Sequence, residues 1–372
     1  MVTVIKNGMV VNGKTVTPRD VWIDGRVICN ARERADHVVD VRGAYVLPGL
    51  IDIHTHGAAR IHYGQDRNFA AALDYCARCG VTTVLPTLGA RPLDALLEGI
   101  GNILQEMKAG HPGANIGGIH IEGPFISEKK KGAMEVPELV CNRENFFAII
   151  EAGQGHIRVM TIAPERENAC QVIFAGNALG VRMSLGHTNA TFDETCAAIE
   201  AGACGATHTF NAMRSYDHRE PGVLGAVLTY PEVTCEVICD MVHVAPTTIQ
   251  LIHKCKGTER MIIVSDSSSF AGAPDGEYII GGRTRYVKNG VSRLANGTLS
   301  ASCCTLGDDA QKLLKMGFTL CDIVAMGAEN PAKATGLYTT VGSLDVGKDA
   351  DILVCDEQFN LQQVYTKGVR YV

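Results

Sequence analysis

Apolar and polar positions in this chain fall into three textures. From Val2 to Val41, short apolar runs at Val2–Ile5, Met9–Val11, Val21–Ile23, Val27–Cys29 and His37–Val41 are separated by Asn-Gly and Asp-Gly signals, the pattern of strands and turns. The same texture returns at Asp351–Cys355 and Leu361–Tyr365. Neither end is large enough to bury a good core alone, so the two are expected to meet in one small β-domain.

Between the ends, strand-like and helix-like runs alternate. The strand candidates are Leu50–His56, Thr82–Pro86, Ile116–Glu122, Ile157–Ile162, Val181–His187, Ala206–Phe210, Val233–Asp240 and Met261–Asp266. Helical patterns at Phe69–Cys79, Leu93–Ala109, Asn142–Ala152, Ala169–Leu179, Phe192–Ala201 and Thr247–Cys255 lie among them, and helical texture resumes at Leu306–Met316 and Cys321–Ala334. Eight apolar runs with helical crossovers predict an α/β fold, a parallel (β/α)8 barrel, with a small β-sandwich built from both chain ends. The expected division is residues 1–48 plus 341–372 for the small domain and 49–340 for the barrel. Glycine signals at Gly276, Gly281-Gly282, Asn289-Gly290 and Asn296-Gly297 predict hairpins inserted after the eighth strand.

Composition narrows the function classes. With 46% hydrophobic and 20% charged residues in 372, the chain is an ordinary globular one. A net charge of −6 gives no basic surplus for nucleic acid or anionic membrane. Met1–Gly8 lacks a signal-peptide pattern and no apolar run approaches a membrane span, so a cytoplasmic protein with reduced thiols is expected. Cys76-x-x-Cys79 has metal-like spacing but no second close pair, and it reads, like Cys303-Cys304, as structural.

The candidate chemistry gathers at strand ends. His54 and His56, one residue apart at the end of an apolar run, project to one side and suit a divalent metal. Glu122, His187, His208 and Asp266 end the third, fifth, sixth and eighth strand candidates, the rim on which a barrel places its active site. His120 alternates with Glu122 but lies deeper, where a core histidine is expected.

In order, Pro48-Gly49-x-Ile51-Asp52-x-His54-x-His56-Gly57, His120-Ile121-Glu122-Gly123-Pro124-Phe125, Gly186-His187-Thr188, Thr207-His208-x-x-Asn211-Ala212-Met213, His218-Arg219-Glu220-Pro221-Gly222 and Ser265-Asp266 resemble the amidohydrolase superfamily, and within it the N-acetylglucosamine-6-phosphate deacetylases. Gly342 to Leu353 resembles that family's return into its small domain. The resemblance implies hydrolysis of an acetamido sugar phosphate, with Glu122, His187 and His208 as main metal ligands and His54 and His56 as a second site. It also implies Asp266 as acid/base, and Asn211, Ala212, Arg219 and His243 as substrate contacts, the last two for phosphate. Ala133, Met134, Leu299 and Ser300 complete the expected substrate wall. One or two divalent ions are expected, zinc first, with iron, manganese or cobalt as alternatives; the partners expected are a small amino sugar phosphate and a second copy of the chain. Such an ion lowers the pKa of bound water, and a neighbouring carboxylate takes the proton.

Two departures face the expected substrate. Lys131-Gly132-Ala133 is followed by Met134 where the family carries His or Gln, and Asp240-Met241-Val242-His243 has methionine where the family has glycine. Two other readings are a different amidohydrolase, whose bridging lysine on strand four is missing from residues 157–166, and a barrel that binds sugar phosphate without catalysis.

Overall fold

The computed structural model describes every residue except 136–138 and 281–282, so the expected Gly281-Gly282 turn lies outside the described residues. Eight parallel strands run in chain order: Leu50–Thr55, Val81–Gly89, Ile119–Glu122, Ile157–Ile162, Arg182–Leu185, Gly205–Ala206, Thr234–Ile238 and Met261–Val264. Each pairs with the next. The end of the first is joined to the stretch just past the last by a Thr55–Ser267 bridge, where the amide of Asp266 donates to His54 O at 2.9 Å and that of His56 to Ser267 O at 2.7 Å. These bonds nearly close the barrel and set Asp266 against His54 and His56.

Helices pack their apolar faces onto the strands. Leu93–Ala109 presents Leu96, Ile100 and Ile103; Phe192–Glu200 starts in a capping box between Thr191 and Glu194; Arg143–Ala152 is capped by the side chain of Asn142. Strand residues buried on both faces explain the long apolar runs, since a parallel sheet has no wet side. After the eighth strand come the expected hairpins, Gly276–Ile280, Arg283–Lys288 and Val291–Leu294, all antiparallel.

Strands from both ends share one sheet. Ile352–Cys355 lies between Tyr45–Pro48 and Leu361–Thr366, and Val2–Asn12 joins the N-terminal strands to it. The expected turn at Asn7-Gly8 is instead a bulge inside one strand, with Asn7 at φ 59°. There the strand changes parallel partner, from His37–Asp40 to Tyr45–Val46, which wraps the sheet around Ile5, Val10, Val21, Ile23 and Ile352. Gly8 permits it: a Cβ there would lie 2.6 Å from a Val46 methyl.

Candidate metal centre

The centre forms just past the strand ends. His54 belongs to the first strand and His56 follows it, their rings 5.4 Å apart. Glu122 ends the third strand. His187, His208 and Asp266 lie beyond their strands, with φ of 47°, 30° and 45°. Left-handed backbone is costly for such residues, and this strain turns the three side chains back over the barrel mouth.

Six side chains meet there. Glu122 Oε1 is 3.0 Å from His187 Nε2, 3.1 Å from His208 Nε2 and 3.5 Å from His54 Nε2; its Oε2 is 3.2 Å from His56 Nε2. Asp266 Oδ1 is 3.2 Å from His56 Nε2 and 3.6 Å from His54 Nε2. The atoms form two clusters of metal-ligating geometry, Glu122–His187–His208 and His54–His56–Asp266, and among the described residues neither includes a cysteine.

The hydrogen bonding fits a cation. His187 Nδ1 lies 2.8 Å from Lys130 O and His56 Nδ1 3.2 Å from Thr87 O, so each carries its proton on Nδ1 and turns the Nε2 lone pair inward. His54 Nδ1 faces Glu236 Oε2 at 3.4 Å. The inward Nε2 atoms of His187 and His208 stand 3.0 Å apart, while His54 Nε2 and Asp266 Oδ1 are buried without hydrogen-bond partners among the described residues. Lone pairs and carboxylate oxygens facing one another in a buried space are repulsive until a positive ion sits among them. Burial would raise the Glu122 carboxyl, but His54, His187 and His208 reverse this and hold it well below the usual carboxylate range. His120 is different: it is bonded through Nδ1 to Ile53 O and Nε2 to Thr161, with no nitrogen left for an ion.

A cavity of about 400 Å³ opens over the centre. Its wall holds Ala133, Met134, Asn211, Ala212, His243, Leu299 and Ser300. His243 donates from Nδ1 to Asp240 at 2.6 Å and from Nε2 to Ser300 O at 2.8 Å. Burial lowers its pKa, and Asp240 more than compensates, bringing it to about 8. It therefore presents charge rather than a free donor. Met134 Sδ accepts the amide of Ala90 at 3.2 Å. Arg219 is not brought to the wall; it is exposed on the stretch preceding the helix Gly222–Thr229. Met241 also differs from expectation. Its φ of 64° turns it from the cavity to pack on the barrel core, so only Met134 of the two departures faces the cavity.

Sequence reasoning missed His62, Arg91 and Arg285 on the wall and Glu236 behind His54. Glu236 had a signal, since a carboxylate inside an apolar barrel strand needs a buried partner.

A parallel barrel with histidines, a glutamate and an aspartate in two candidate ion-binding clusters at its C-terminal mouth defines a metal-dependent hydrolase. Residues 45–370 match the Amidohydrolase family, and the chain belongs to it, as a hydrolase of carbon–nitrogen amide bonds. It is 35% identical over 328 residues to the N-acetylgalactosamine-6-phosphate deacetylase of Escherichia coli O157:H7, covering 86% of each chain. It is 30% identical over 374 residues to the N-acetylglucosamine-6-phosphate deacetylase of Lysinibacillus sphaericus, covering 98% of this chain and 96% of that one. Among solved structures it is similar to a variant of the Mycobacterium smegmatis N-acetyl-D-glucosamine-6-phosphate deacetylase in complex with N-acetyl-D-glucosamine-6-phosphate. There the TM-score is 0.89 and the identity 31%, over 100% of this chain and 99% of that one.

Proposed function

We propose that this protein removes the acyl group of an N-acylated amino sugar 6-phosphate, releasing the carboxylic acid and the amino sugar phosphate. The observation that carries this reading is the meeting of Glu122 with four histidines and Asp266 beneath one cavity. Glu122, His187 and His208 would hold one divalent ion, and His54, His56 and Asp266 a second, with Glu122 touching both. Imidazole and carboxylate ligands favour zinc, while iron, manganese and cobalt suit the same set. A divalent cation there acidifies water and polarises an amide carbonyl.

The protein's own residues supply the rest. Asp266, through the carboxylate oxygen turned away from His54 and His56, takes a proton from the attacking water and returns it to the departing amine. Asn211 and Ala212 line the cavity, where they would contact the sugar, and His243 contributes positive charge. Met134 has no proton to donate to a carbonyl, which favours the two-ion form and a substrate shifted from N-acetylglucosamine 6-phosphate. The similarity to a galactosamine-series deacetylase agrees with such a shift. Arg219 serves the phosphate only if its exposed loop folds inward. The small domain is taken as 1–48 plus 341–372. A cytoplasmic homodimer is the expected setting, checked by light scattering and fractionation; no helix among the described residues is long and apolar enough to cross a membrane.

The test is metal content by mass spectrometry together with turnover of a panel of acylated amino sugars, phosphorylated and free, in both the gluco and galacto series. Full activity after exhaustive chelation, or no turnover of any panel member by metal-loaded protein, would refute the reading.

A further inference from the structure

The cavity wall carries a charge pattern that the metal centre does not explain. Apart from Glu122 and Asp266, its permanently charged residues among the described ones are Arg91 and Arg285, with no further acid among them. Arg91 follows the second barrel strand, and Arg285 comes from the hairpin insertion. His62 lines the same cavity from the short strand Ile61–His62, which pairs with Gly57–Ala58 just after His56.

Arg91 is held rigidly. Its Nε donates to Gly89 O at 3.2 Å and Nη1 to Gly64 O at 2.7 Å. The guanidinium lies so close to Gly64 that a Cβ there would be 2.4 Å from Nη2. Carbonyls orient a guanidinium without neutralising it, and among the described residues no carboxylate is paired with this one; only burial shifts its pKa, downward. Gly89 in turn borders the centre, since a Cβ on it would be 3.1 Å from Met134 Sδ and 3.7 Å from Glu122 Oε2. The fixed cation is thus anchored to a residue that borders the centre, and it lines the same cavity.

His62 adds a neutral donor. Its Nδ1 accepts the Gly64 amide at 3.0 Å, which places the ring proton on Nε2. Burial, then His56 and Arg91, lower its pKa to about 3, so it stays uncharged. An adjoining cavity shares His62, Ala90, Arg91 and Arg285 but also carries Glu98 and Glu135, so the side over the metal centre is where an anion meets a wall without further acids among the described residues.

We propose that Arg91, flanked by Arg285 and His62, forms an oxyanion subsite that selects substrates bearing a carboxylate or phosphate. The proposal rests on the deacylase reading and deepens it: the anion is either the sugar phosphate or the end of an acyl group longer than acetyl. Both offer paired oxygens to the guanidinium, the geometry arginine grips best.

Two measurements on metal-loaded protein test this. Inorganic phosphate and succinate are titrated by calorimetry into wild type, Arg91→Gln and Arg91→Lys, with melting temperature as the check on folding. Arg91→Gln should weaken at least one of the anions by roughly tenfold or more, the usual value of a hydrogen bond to a charged partner, with part regained in Arg91→Lys. Then kcat/KM is compared for N-acetylglucosamine, its 6-phosphate, and N-succinylglucosamine. A selective loss of Arg91→Gln on the phosphate assigns that source, and a selective loss on the succinyl compound assigns the acyl carboxylate. Unchanged affinity for both anions in folded Arg91→Gln, or an equal loss on all three substrates, overturns the subsite. A wild type that cleaves none of the three removes the deacylase reading, while the titration still judges the subsite.

Discussion

Replacing Glu236 with glutamine isolates one contact behind the metal centre. Glu236 and His54 are both fully buried, and Oε2 lies 3.4 Å from Nδ1. Burial would raise its pKa, but His54, His120 and Arg182 lower it, so it is an anion facing the His54 ring. That charge strengthens the Nδ1–H bond and makes Nε2 a better ligand. Glutamine keeps the volume and one acceptor, so no void confounds the result. A hydrogen bond to a charged partner is worth about 1.5–3 kcal/mol net and a neutral one about 0.5–1.5. The difference, about 1.4 kcal/mol, is roughly tenfold in affinity. The long contact argues for no more than this. Competition against a fluorescent zinc chelator should show one of two affinities weakened about tenfold, with the site of Glu122, His187 and His208 unchanged. Two affinities equal to wild type, or an equal fall in both, would refute the assignment of His54 to a separate ion.

Asp266→Asn should fold, retain the ion of the Glu122 site, and lose about 10²–10⁴ in kcat, the usual share of general acid–base catalysis. Wild-type turnover would remove Asp266 from the mechanism. The His243–Asp240 pair predicts a pH effect on stability: the folded pKa near 8 lies above the ordinary 6.5, so the stabilisation is complete below pH 6.5 and lost as pH rises through 8. About 2 kcal/mol is at stake, and urea denaturation at the two ends of this window should show it in wild type and not in His243→Asn. Identical pH dependence in the variant would count against the pair.

Much of this architecture was legible because parallel strands are wet on neither face. Runs such as Met261–Val264 and Ile157–Ile162 announce themselves, and the helix Leu93–Ala109 has the bounds its apolar spacing predicts. The backbone past the strands was not legible. His208 was expected inside a strand reaching Phe210, yet that strand ends at Ala206 and His208 turns at φ 30°. No local pattern encodes a strained histidine, because the surrounding packing enforces it. Arg219 shows the converse: a resemblance assigns its role, but nothing apolar nearby fixes where an exposed loop holds it. The Asn7-Gly8 turn signal misled because a bulge and a hairpin turn ask for the same left-handed residues. Arg91 left no periodic trace, since its position depends on carbonyls of two different loops.

The pairing of Ile352–Cys355 with Tyr45–Pro48 has a consequence for synthesis. At about 5–20 residues per second, a ribosome adds the partner strand roughly 15–60 s after the first one is made, about 300 residues later. Throughout that interval Tyr45–Pro48 has an open edge, with Val46 and Leu47 both apolar beside it. The barrel strands are all made in the meantime, but the small sheet waits, and so do Leu353, Cys355 and Val364, which pack into the barrel's own core cluster. Nascent chains stalled before residue 352 should therefore hold an unsealed strand beside an incomplete core, a natural client for chaperones that cover exposed edges.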